Sequence, residues 1–80
     1  MDMTLDDRVL VALYNAAIEN NAPGGYRISQ LMPEGCTLLD ARETAIRLES
    51  QGYITIPQGM AASPIVYITD MGCRRAQSLL

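Results

Sequence analysis

The chain has 80 residues, a hydrophobic fraction of 49% and a formal net charge of −3, a composition typical of one small globular domain. All six of its basic residues are arginine, and nine acidic residues outnumber them. With no histidine and only two distant cysteines, Cys36 and Cys73, the sequence has neither a zinc-site spacing nor a nucleophile paired with a base, so we expect no metal, no cofactor and no enzyme.

The first predicted element is a helix that begins after Thr4 and runs to about residue 20. Thr4 and Asp7 have the spacing of a capping box, in which each side chain bonds to the backbone of the other residue. Apolar residues recur at helical spacing in two stripes. One stripe comprises Leu5, Val9, Ala12, Leu13 and Ala16, and the other comprises Val11, Tyr14 and Ile18. A helix that is apolar on two sides either packs against the rest of its own chain on both sides or contacts a partner on one of them.

A loop over residues 20–25 follows, because asparagine, proline and glycine cluster there. Residues 26–28 are predicted to form a short strand. Ser29 is then the predicted cap of a very short helix, residues 30–32, which Pro33 and Gly35 end. This segment has the form of a compressed second helix of a helix-turn-helix.

The next helix is predicted over residues 38–51, with Thr37 and Asp40 as a second capping box and Gly52 at its end. Its core-facing stripe is predicted as Leu38, Ala41, Ala45 and Leu48, and its opposite side as Asp40, Glu43, Thr44, Arg47, Ser50 and Gln51. Leu39 and Ile46 flank Arg42 outside the core stripe. Two interpretations are open for this pair: packing on the first two helices, or an exposed contact surface.

Two alternating segments, residues 53–56 and 65–69, predict a hairpin around a loop that is bounded by Pro57 and Pro64. Val66 and Ile68 share one face of the second strand, and Tyr67 takes the other face. Thr69 or Asp70 is the predicted cap of a final helix over residues 71–80. Its inward-facing residues are predicted as Ala76, Leu79 and Leu80.

This order of elements resembles the winged helix-turn-helix of bacterial regulators of the MarR and PadR type. Residues 41–54 end in Leu-Glu-x-x-Gly-aromatic-Ile, and residues 65–72 end in Thr-x-x-Gly, as the corresponding segments of that family do. The resemblance implies one small α+β domain over residues 1–80. It would hold three helices, a two-stranded wing hairpin that residues 26–28 extend by a short third strand, and a C-terminal helix.

The resemblance also implies a transcriptional regulator or accessory factor that binds double-stranded DNA through the helix of residues 38–51 and the wing of residues 53–69. The candidate DNA contacts are then Arg27, Arg42, Thr44 and Arg47. The outward start of that helix carries equal numbers of arginines and acids, however, and the wing loop has no basic residue. Phosphate contacts supply much of the affinity of DNA-binding proteins, so this charge pattern favours a second hypothesis.

The second hypothesis is a protein-interaction module on the same scaffold. Its candidate contacts are Leu39 and Ile46, together with the stripe of Val11, Tyr14 and Ile18. The stripe suggests a homodimer that pairs through the first and last helices across a two-fold axis. The acidic start of the chain lacks the apolar core of a signal peptide, and no apolar run is long enough to span a membrane. We therefore expect a cytoplasmic protein without a membrane role, in which both cysteines are free thiols.

Overall fold

The computed structural model describes residues 3–80, which form three α-helices and a three-stranded antiparallel sheet. The elements are α1 (Leu5–Glu19), β1 (Gly24–Arg27), a 3₁₀ turn (Ile28–Leu31), α2 (Leu38–Ser50), β2 (Ile54–Thr55), β3 (Ile65–Ile68) and α3 (Asp70–Leu79). The strands lie in the order β1-β3-β2, so the last strand in the sequence is central in the sheet. The predicted α+β class is confirmed.

Both predicted capping boxes are present. The Asp7 amide donates to Thr4 Oγ1 at 3.1 Å, and the Thr4 amide donates back to Asp7 Oδ2 at 3.3 Å. At the start of α2, Thr37 and Asp40 exchange the equivalent bonds at 3.0 and 3.1 Å. Each box provides hydrogen-bond acceptors for backbone amides that are otherwise unpaired at the start of a helix. The first residues of both helices could therefore be predicted from the local sequence.

Three predicted boundaries differ from the structure, the first being strand β1, which covers Gly24–Arg27 and not residues 26–28. The turn over Ile28–Leu31 has Arg27 at its N-cap position and no side-chain cap, so the prediction that Ser29 caps it is wrong. The Ser29 hydroxyl instead accepts a bond of 2.7 Å from the hydroxyl of Ser63. Strand β2 is limited to two residues, because only Ile54 and Thr55 pair with β3.

Helix α1 is the central element, since it contacts α2, α3 and β3. The core between these elements is aliphatic and includes Val9, Leu10, Leu13, Ile28, Leu48, Ile54 and Val66. The predicted core residues Ala41, Ala45, Leu48 and Ala76 are buried. Leu38 and Leu80 are exposed, which contradicts their predicted inward positions. Each lies at the end of its helix, where helical spacing no longer guarantees a neighbouring element.

The sheet has one buried face, formed by alternate residues. Val66 and Ile68 of β3 are buried, whereas Tyr67 is half-buried on the other side, as predicted. The Tyr67 side chain lies over Gly24, so a β-carbon at that position would overlap it. Across the described residues 3–80, no helix is long and apolar enough to cross a membrane.

Candidate interaction surface on the second helix

Helix α2 directs its side chains to two opposite sides. Its buried side consists of Ala41, Thr44, Ala45 and Leu48, which pack into the core. Leu39 and Ile46 lie on the other side and remain 63% and 53% exposed. Arg42 and Glu43 lie between them and are also exposed. We call Leu39, Arg42, Glu43 and Ile46 the outward face of α2.

The exposure of Leu39 and Ile46 decides between the two interpretations that the sequence left open. Neither residue packs on another helix, so the interpretation that they complete the core is wrong. They are seven residues apart, which is about two turns and about 10 Å along the helix. Two large apolar side chains therefore form a short line on the surface, with one positive and one negative residue beside it.

Thr44 is not on the surface of the molecule. Its side chain is fully buried, and its hydroxyl accepts a bond of 3.2 Å from Arg47 Nη2. The prediction that Thr44 contacts DNA is therefore wrong, because a side chain enclosed by the core cannot reach a macromolecular ligand. The spacing of residues 41, 44, 45 and 48 is that of a buried helical stripe, and this signal would have identified Thr44 as a core residue.

The guanidinium of Arg47 is bound within the chain. Its Nε and Nη2 donate to the carboxylate of Asp6 on α1, with the shortest contact at 2.9 Å. Glu43 Oε2 lies 3.9 Å from Arg47 Nη1. The hydrogen bond to Asp6 raises the pKa of Arg47 above its ordinary value; desolvation opposes this effect, and the charges of the nearby carboxylates add to it. A phosphate would have to displace Asp6 to use this charge.

Arg27 and Arg42 are the predicted DNA contacts whose charge remains available. Both are exposed, and within the described residues neither forms an ion pair. Arg27 lines an open cavity of about 420 Å³ between the first residue of α2, Leu38, and the loop that joins β2 to β3. Arg42 lies on the outward face of α2 and is not part of that cavity lining.

The loop of residues 57–64, which we call the wing loop, contains no charged residue. Met60, Ala61 and Ala62 are exposed on it. Ala61 and Ala62 line the same cavity as Leu38. The wing loop thus adds apolar surface beside the start of α2 and contributes no side chain that attracts phosphate.

The three residues of α1 that were predicted to form a dimer contact differ in their exposure to solvent. Val11 is buried in the core and cannot contact a partner, so its assignment to an interaction surface is wrong. Tyr14 is half-buried, and its hydroxyl accepts a bond of 3.0 Å from Gln77 Nε2 on α3. Ile18 is exposed. The first and last helices pack on each other within one chain, which uses much of the surface that the predicted homodimer required.

The described residues do not bring together a catalytic or metal-binding cluster. Cys36 and Cys73 are free thiols, and they line two different cavities. A cavity of about 510 Å³ between α1 and α2 contains Asp6, Asp7, Arg47 and Arg75, whose charges are paired with each other. No group of three or more histidine, cysteine or acidic residues among residues 3–80 is arranged to hold a metal ion.

Comparisons with protein-family models, with curated proteins and with solved structures returned no match to this chain. The outward face of α2, the neighbouring wing loop and the exposed Arg27 and Arg42 are therefore the features on which a functional assignment depends.

Proposed function

We propose that the chain is a winged-helix domain that binds another protein through the outward face of α2. The element order, the β1-β3-β2 sheet and the caps of α2 and α3 support the winged-helix assignment. The single observation that carries the binding function is the exposure of both Leu39 and Ile46 on one side of α2.

These two side chains would supply most of the favourable free energy of binding to a protein. Fully burying one leucine or isoleucine contributes roughly 1.5–3 kcal/mol relative to leaving it in water. Fully buried interface cores are apolar and depleted in charge, and their rims are polar. Leu39 and Ile46 fit such a core, while Arg42 and Glu43 fit its rim.

Double-stranded DNA is the second candidate ligand. It is favoured by Arg27 and Arg42, which are exposed and form no ion pair within the described residues, because winged-helix proteins contact DNA through basic residues on and near this helix. Three features oppose it: the net charge of −3, the engagement of Arg47 by Asp6, and the uncharged wing loop. Few phosphate contacts remain available, and the affinity of nonspecific DNA binding depends on their number.

Site-specific photo-crosslinking in the source cells tests the proposed function. A photoreactive residue in place of Ile46 should form protein adducts, and the same residue in place of Glu19, which is exposed at the end of α1, should not. Adding Leu39→Asp should remove the Ile46 adducts. Equal adducts at both positions, or adducts that persist with Leu39→Asp, would show that this face does not bind a protein.

A mobility-shift assay with random-sequence duplex DNA at low salt tests the second candidate. We expect no shift by the wild-type chain. A shift that disappears with Arg42→Glu and persists with Leu39→Asp would instead assign DNA binding to this face, because only the first change removes a phosphate-binding charge.

A further inference from the structure

We propose that the outward face of α2 binds α2 of a second copy of this chain, with the two helices parallel about a two-fold axis. This inference rests on the proposed function and specifies the partner. Leu39 and Ile46, which we call the apolar line, and the charges of Arg42 and Glu43 beside them determine how two copies can meet.

The apolar line is compatible with self-association. Leu39 and Ile46 are separated by seven residues, so their directions around the helix differ by only about 20°. In a parallel pair, Leu39 of each copy meets Leu39 of the other, and Ile46 meets Ile46. Both exposed apolar residues of the outward face are then buried by one contact, as residues one heptad apart are along the seam of a parallel helix pair.

The charges select the parallel orientation. Viewed down the helix axis at 3.6 residues per turn, Arg42 lies about 50° to one side of the apolar line, and Glu43 lies about 50° to the other side. A two-fold axis parallel to the helices places opposite flanks against each other, so Arg42 of each copy faces Glu43 of the other. An antiparallel pair would place Arg42 against Arg42 and Glu43 against Glu43, and like charges disfavour that arrangement.

The expected dimer is weak. Helix α2 has 13 residues, and only two large apolar side chains from each copy enter the contact. Such an interface falls below the roughly 1,200 Å² that stable protein complexes bury, so we expect a concentration-dependent equilibrium. Because the dimer covers the outward face of α2, it excludes DNA from the same face.

Sedimentation equilibrium of the whole chain between about 1 and 500 µM tests this inference, since weak complexes dissociate within that range. The apparent mass should rise from the monomer value of 8.7 kDa toward twice that value. Arg42→Glu alone and Glu43→Arg alone should each weaken association at least about tenfold. The double change Arg42→Glu with Glu43→Arg should restore it, because the opposite charges again face each other.

Two controls separate the contact from net charge and from folding. Arg74→Glu changes the net charge as Arg42→Glu does, but at an exposed position on α3, and it should leave association unchanged. Circular dichroism of every variant should match the wild-type chain. Association that neither single charge change weakens would overturn the parallel arrangement.

The outcome also separates this inference from the proposed function. A chain that stays monomeric at all concentrations overturns the second copy as partner. If residue 46 nevertheless crosslinks to a different protein, the proposed function stands with another partner. If residue 46 forms adducts with no protein, both are overturned.

Discussion

Gly72 and Thr69 show how single residues determine where α3 begins. The amide of Gly72 donates to Thr69 Oγ1 at 3.0 Å, and the Thr69 hydroxyl donates to the carbonyl oxygen of Gly52 at 2.6 Å. One hydroxyl therefore caps α3 and also binds Gly52, two residues past the end of α2. Gly72 lies against the backbone of Tyr53, where no space remains for a side chain.

Gly72→Ala should destabilise the chain by roughly 2–3 kcal/mol, the range expected for an overpacked site. An added β-carbon would overlap the carbonyl oxygen of Tyr53 and lie 2.7 Å from Ile68 Cγ1. Urea unfolding followed by circular dichroism measures the change. Gly35→Ala is the control, because its positive φ of 87° strains an alanine but the surrounding space is open. Equal losses in the two variants would contradict the packing argument.

Thr69→Val should cost roughly 1–2 kcal/mol, because it removes an N-cap and leaves the Gly52 carbonyl without the hydroxyl donor. Thr69→Ser keeps the hydroxyl and should lose much less. The comparison is made by thermal unfolding of both variants under one set of conditions. A serine variant as unstable as the valine variant would show that the methyl group, and not the hydroxyl, carries the effect.

At the scale of elements, α2 is oriented by its buried stripe and by a contact to α1. Arg47 of α2 and Asp6 of α1 form a bidentate ion pair, in which the Arg47 side chain is 46% exposed and the Asp6 side chain is 20% exposed. The geometry is favourable, but solvent screens charges at this exposure. The pair therefore stabilises the contact between the two helices only weakly.

A double-mutant cycle with Asp6→Asn and Arg47→Gln should give a coupling free energy of at most about 1 kcal/mol. Raising the salt concentration should reduce it, because screening weakens exposed ion pairs. The measurement is the free energy of unfolding of the four chains in urea. A coupling above about 2 kcal/mol that is independent of salt would place the pair among desolvated ion pairs instead.

At the scale of the whole molecule, stability depends on a small aliphatic core. A domain of this length has an unfolding free energy of about 4–12 kcal/mol at roughly 0.05–0.15 kcal/mol per residue. Leu48 contributes to this free energy, because it is buried where α2 meets the core shared with α1 and the sheet. A single cavity there removes a large fraction of the total stability.

Leu48→Ala should lower the unfolding free energy by about 2–5 kcal/mol, and thermal unfolding should shift down by at least about 10 °C. The matched control is Leu39→Ala, the same chemical change on the exposed side of the same helix, which should stay within about 0.5 kcal/mol of wild type. Calorimetry of both variants measures the difference. A large loss with Leu39→Ala at a concentration where the chain is monomeric would mean that Leu39 packs within the monomer.

Features that depend only on residues close together in the chain could be predicted from the sequence. The capping boxes at Thr4 and Thr37 and the core stripe of Ala41, Ala45 and Leu48 were predictable, because hydrogen bonds and helical periodicity within about ten residues define them. The additional short strand, β1, was also predicted, although it covers Gly24–Arg27 and not residues 26–28.

Which apolar and polar side chains are buried follows from the packing of elements that are distant in the sequence. Thr44 and Val11 are buried, and Leu38 and Leu80 are exposed, because burial depends on elements that pack from distant parts of the chain. The ion pair between Asp6 and Arg47 joins residues that are 41 positions apart, and no local pattern encodes that distance. The apolar line on α2 was visible in the sequence, but its exposure followed from the absence of any described element packed over it.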